Sequence, residues 1–200
     1  MEKILENSLS QAVDYATYRQ DIRELLAGVQ YAEGVNADPL IHYTLLNETR
    51  MDRLEKTIKI DEKPIGQLNA LSEKYTWLVI SEGWCGDAAQ ILPVLFKMAE
   101  STPKIEMKIV FRDRDEALMD LFLTHGARSI PKVIVLDAQN RVVADWGPRP
   151  EGAVELIARH KAAKGLIDDE AKSELQLWYL HDKGRSTVNE LVALMQRISA

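Results

Sequence analysis

Apolar and polar positions change period twice along the chain. Through LSQAVDYATYRQDIRELLAGV, residues 9–29, Val13, Ile22, Leu25, Leu26 and Val29 recur at roughly helical spacing, with Gly28 or Gly34 as candidate stops. In ADPLIHYTLLNETRMDRLEKTIKI, residues 37–60, Asp38 suits an N-cap and Pro39 a first helical position. Leu40, Tyr43, Leu46, Met51, Leu54 and Ile58 then make one apolar face, and KIDEKPIGQ reads as a charged link. From residue 75 the pattern changes. WLVIS is a short continuous apolar run, as in a strand covered on both faces. A helix is expected over about residues 85–100 and a second strand over IEMKIVFRD. DEALMDLFLTHG predicts a helix ending at Gly126 with His125 in its last turn, and KVIVLDAQNRVVADWG two strands joined at DAQN. After Pro150 the helical period returns in three segments. They are stopped at Gly165 and Gly184, capped at Asp168 or Asp169, and begun in the last case by a capping-box pattern, Thr187-x-x-Glu190.

Strand–helix–strand–helix–strand–strand implies an α/β class: parallel strands with helical crossovers, then an antiparallel hairpin, in a central mixed sheet flanked by helices. The expected organisation is a helical extension over residues 1–65, a core over 66–150 and a second helical extension over 151–200, packed as one domain.

Composition narrows the function classes. The net charge is −6 and no basic cluster is visible, which argues against nucleic-acid binding. No apolar run approaches the roughly 20 residues of a membrane span, and the start, MEKILENSLSQAVDY, lacks the basic and apolar regions of a signal peptide. One cysteine in 200 residues cannot build an intrachain disulfide. These features predict a soluble protein in a reducing, cytoplasmic setting, with no metal or organic cofactor.

That cysteine, Cys85, lies in GWCGDA, where a buried strand is expected to give way to a helix. The free N–H groups and positive dipole end of a helix start favour a thiolate. A lone cysteine is equally well a small buried hydrophobe. Position alone leaves both readings open.

The residues around Cys85 resemble the Trp-Cys-Gly-Pro-Cys motif of the thioredoxin family. Pro93, eight residues on, falls where that family carries a helix-kinking proline. GARSIP at 126–131 resembles the family's Gly-x-Arg-x-Ile-Pro loop, and Gly147 lies sixteen residues past Pro131, at the family's interval. The resemblance covers about residues 70–150, and the helical flanks suggest a bacterial branch with Asp in the motif. It implies a thioredoxin-like fold, a cis bond between Ile130 and Pro131, and a shallow groove in which Trp84, Gly86, Arg128, Ile130 and Pro131 bind an extended substrate segment by strand addition. Trp84 has a packing role as its alternative, and Arg128 is either a compensating charge beside Cys85 or an exposed loop residue.

The departures limit the chemistry. Ala88 stands where the resolving cysteine of the family would lie, Asp87 where its proline would, and Val79 at the buried relay carboxylate. An intrachain dithiol cycle is impossible. Cys85 can attack a disulfide and be released by an external low-molecular-weight thiol acting as co-substrate. It can also be oxidised to a sulfenic acid and rescued. Asp87 is either a helix N-terminal acid or a general base, and its charge opposes a thiolate. The expected activity is monothiol thiol–disulfide exchange on a protein or small-molecule disulfide, with Cys85 as nucleophile. The alternative is a redox-inactive peptide- or protein-binding module, and a third reading is a homodimer linked through Cys85. His42, His125, His160 and His181 show no metal spacing; His125 either nears Cys85 or is satisfied at a helix end. RDRDEALMD fits no calcium loop, and LQLWYLHD is expected to dock on the core.

Overall fold

The alternating segment folds as one four-stranded sheet, β1 (Tyr75–Ser81), β2 (Ile105–Phe111), β3 (Lys132–Leu136) and β4 (Val142–Trp146). The computed structural model describes residues 1–30 and 39–199. Around the sheet lie α1 (Glu2–Gln11), α2 (Tyr15–Gln30), α3 (Pro39–Thr57), α4 (Glu62–Asn69), α5 (Gly86–Glu100), α6 (Glu116–Met119), α7 (Glu151–Lys164), α8 (Asp169–Asp182) and α9 (Arg185–Ile198). The strand order is β2-β1-β3-β4. β1 and β2 are parallel through the α5 crossover, while β1–β3 and β3–β4 are antiparallel. The α/β mixed sheet expected from the pattern is therefore present. β1 and β3 are central and nearly wholly buried, which is why they read as unbroken apolar runs; β4, at an edge, alternates half-buried with exposed. Residues of both extensions, from Leu5 to Met195, join the same hydrophobic cluster as the strands. No helix among the described residues is long and apolar enough to cross a membrane.

Several element boundaries differ from the expectation. The first helix breaks at residues 12–14, where Val13 exchanges backbone hydrogen bonds of 2.9 and 2.8 Å with Ile109 and covers the β2 edge. Leu25 faces solvent, and Gly28 lies inside α2 without ending it. Gly34, Asp38 and the side chain of Val29 lie outside the described residues. On α3, Met51 is buried as expected, but Leu40, Tyr43 and Leu46 are exposed, and Thr44 and Asn47 continue the buried stripe in their place. The supposed link at 59–67 contains most of α4. The helix expected to end at Gly126 stops at Met119. Thr124 and Ala127 pair across a tight turn whose central residues, His125 and Gly126, have φ of 51° and 78°. The second of the three C-terminal segments ends one residue early, at Lys183 in the left-handed region, and Gly184 becomes the N-cap of α9. The Thr187–Glu190 capping box does not form. Glu190 accepts from the Glu151 backbone N–H at 2.8 Å, capping α7, and from Trp146 Nε1 at 2.8 Å.

Candidate functional site

Cys85 is the N-cap of α5, at the carboxyl end of β1, where open α/β sheets place their sites. Its Sγ accepts from the Ala88 N–H at 3.4 Å, and the thiol donates to the Ile130 carbonyl at 3.4 Å. The side chain is 7% exposed. Burial pushes the thiol up to about 12, the Asp87 charge adding in the same direction. The N–H groups of Ala88 and Asp87 and the Arg149 charge oppose this without overcoming it. At neutral pH the sulfur is a protonated thiol, contrary to the thiolate that the helix start alone would favour.

Asp87 is buried within the first turn of α5 and doubly held. Tyr179 of α8 donates its hydroxyl to Oδ1 at 2.8 Å, and Arg149 places Nη2 2.6 Å from Oδ2. Two residues that sequence reasoning missed therefore bracket the motif. Tyr179 lay within an apolar helical stretch, and Arg149 within the otherwise bland WGPRP. The only signal at Arg149 was a cation between two prolines just past the noted Gly147.

Arg128 does not compensate the Cys85 region. It forms a fork on Asp120, at 2.7 and 2.9 Å, and pairs with Glu116 at 3.1 Å; Arg149 occupies the role expected of it. His125 is exposed in its turn and is not among the residues lining the cleft over Cys85. The Ile130–Pro131 bond is cis. Ile130 lines that cleft, whereas Pro131 is buried beneath it. Gly147 sits against this loop at φ 116°, and a Cβ there would lie 2.4 Å from the Pro131 carbonyl oxygen, so only glycine fits. Val79 is fully buried between Ile109 and Val133 and puts no relay carboxylate under the site.

A cleft of about 620 Å³ lies over Cys85, walled on one side by α3 and on the other by the α7–α8 corner. Trp84 and Gly86 line it as expected, and the Arg112 guanidinium sits 4.7 Å from the centre of the Trp84 ring. Asn47 of α3 fixes the approach to the motif. Its Nδ2 donates to the Gly83 carbonyl at 2.9 Å, while its Oδ1 accepts from Arg50 at 2.8 Å. No group of metal-ligating side chains occurs among the described residues.

The family described as thioredoxin matches residues 36–164. The chain belongs to the thioredoxin family. Two solved structures share the fold over nearly the whole length, which places the helical extensions within the shared architecture. One is a protein of unknown function from Pseudomonas aeruginosa, 18% identical, with 92% of each chain covered and a TM-score of 0.58. The other is an HIV epitope-scaffold, also 18% identical, with 96% of each chain covered and a TM-score of 0.59. No curated protein matches the sequence. Three features stand out physically: one thiol, no second cysteine at Ala88, and a buried carboxylate held by an arginine of a loop and a tyrosine of a C-terminal helix.

Proposed function

We propose that this thioredoxin-family chain uses the cleft over Cys85 to bind a ligand and holds Cys85 as a neutral thiol, without redox turnover of its own. The observation that carries this reading is the protonated, buried Cys85 thiol, hydrogen-bonded to Ile130 beside a walled cleft. A thiol in that state is a poor nucleophile, and Ala88 supplies nothing to resolve an adduct. A cleft of this volume falls in the range of small-molecule sites, roughly 300–1,000 Å³. Trp84, Gly86 and Ile130 form its floor, and Asp87 serves as the anchor that ties α5 to Arg149 and Tyr179.

The second reading, monothiol exchange, is favoured by the N–H groups at the start of α5, which are directed at Sγ. In that reaction the Cys85 thiolate attacks one sulfur of a mixed disulfide and displaces the other as a thiolate. An external low-molecular-weight thiol then attacks the new disulfide and restores Cys85, so that no net electrons stay on the protein. The deciding experiment is reduction of a peptide mixed disulfide by a low-molecular-weight thiol, with the native chain and with Cys85→Ser. Equal rates at the uncatalysed level support the binding reading. A rate that depends on Cys85 overturns it and establishes exchange.

A further inference from the structure

Among the described residues five cations line the cleft, against the single carboxylate of Asp87. Four of them are already matched. Arg149 holds Asp87, Arg128 holds Asp120 and Glu116, Arg112 pairs with Asp113, and Lys172 pairs with Asp169. Arg50 is different. It is half-buried, it donates Nη1 to the neutral Asn47 Oδ1 at 2.8 Å, and no carboxylate pairs with it among the described residues. A half-buried guanidinium without a counter-charge is costly, because desolvation is uncompensated. Burial and the neighbouring Arg53 accordingly push its pKa down.

Other donors converge on the same point. A Cβ built on Gly86 would lie 3.8 Å from Arg50 Nη1 and 3.7 Å from Gln176 Nε2. The buried Gln90 donates to Gln176 Oε1 at 2.7 Å, which turns the Gln176 amide nitrogen towards Gly86. Gly86 is the first residue of the fifteen-residue α5, whose opening N–H groups add positive potential. Glycine keeps this point open to a ligand. Around it stand Tyr43, Trp84 and Leu175, which supply apolar surface for an organic body. The chain has no glycine-rich phosphate loop.

We propose that the cleft binds a small organic anion through a carboxylate seated on Arg50, Gln176 and the start of α5 at Gly86. The inference rests on the binding reading above and names its ligand class. It is tested with glutarate as the probe, followed by amide and side-chain NMR shifts of the full chain, with glutaramide and inorganic phosphate as comparison probes. Glutarate is expected to saturate shifts at Gly86 and at the Gln176 side chain, and glutaramide to leave them unmoved. Arg50→Gln is expected to weaken glutarate at least about ten-fold, the scale of a lost hydrogen bond to a charged group. Arg50→Lys, which keeps the charge and loses the fork, falls between. Arg53→Gln removes the same charge from the exposed side of α3 and is expected to change affinity less than about two-fold. Equal weakening by Arg50→Gln and Arg53→Gln, tighter binding of phosphate than of glutarate, or no saturable shift would each overturn the proposal. If Arg50→Gln does not fold, the contrast of glutarate with glutaramide on the native chain still decides. These readouts do not involve the sulfur. A Cys85-dependent turnover would overturn the binding reading while leaving the anion site intact, and the converse holds equally.

Discussion

Alkylation of Cys85 by iodoacetamide, followed against pH, reads the state of the site directly, because the chain has one cysteine and the signal has one source. Only the thiolate reacts. A free cysteine, with a pKa of about 8.5, is roughly one-tenth ionised at pH 7.5. Burial and the Asp87 carboxylate push Cys85 up to about 12, which leaves on the order of one thiolate in 30,000 at the same pH. The expected rate at pH 7.5 is therefore about 3,000-fold below that of a free thiol. Restricted access lowers the whole curve but does not move the pH at which it bends. The expected logarithmic rate rises with unit slope from pH 6 to pH 10 without a plateau, with circular dichroism confirming the fold throughout. A plateau reached below about pH 9 refutes the argument. It would mean that the α5 N–H groups and Arg149 outweigh burial and Asp87.

Asp87→Asn removes the charge that raises the thiol and leaves Arg149 unopposed, so the alkylation curve is expected to shift to lower pH. An unchanged curve would show that burial alone sets it. Tyr179→Phe deletes one donor to a buried carboxylate and is expected to cost about 1.5–3 kcal/mol in denaturant unfolding. A loss below about 0.5 kcal/mol would mean that Arg149 alone satisfies Asp87. Gly147→Ala drives a Cβ to 2.4 Å from the Pro131 oxygen at φ 116°. It is expected to cost about 3 kcal/mol or more, lowering the melting temperature by roughly 6–12 °C. A native-like melting curve would show that the loop yields. The linked stability of Cys85 has a definite sign: its raised pKa makes the contribution complete below about pH 8.5 and lost as pH rises towards 12. Over that window the native chain is expected to lose stability relative to Cys85→Ser; parallel stability curves would contradict the raised pKa.

Much of the fold was legible because buried strands carry their own signature. WLVIS and KVIVL are unbroken apolar runs because both faces of β1 and β3 are covered, and the hairpin at DAQN follows from local turn chemistry. The errors fall where long-range packing overrode local period. Val13 sits on an apparent helical face, yet it is recruited to the β2 edge, whose free backbone groups needed partners. Thr44 and Asn47 look like surface positions of α3, yet both are buried against Gly83, whose carbonyl accepts from Asn47. Leu40 and Tyr43 look like core, yet they border the cleft.

The motif divides in the same way. Its position at a strand-to-helix junction and the absence of a second thiol follow from local residue identity, so the one-dimensional chain determines them. The burial of Cys85, the two partners of Asp87 and the setting of Arg50, with which no carboxylate pairs among the described residues, depend on groups far apart in the chain: Tyr179 and Arg149 lie 92 and 62 residues from Asp87, and Gly86 lies 36 from Arg50. Electrostatic free energy is set by distance and burial in space, which no local pattern encodes. Chain order therefore specified a reactive-looking cysteine, and only the tertiary structure decided that it is buried beside a cleft whose Arg50 guanidinium has no carboxylate partner among the described residues.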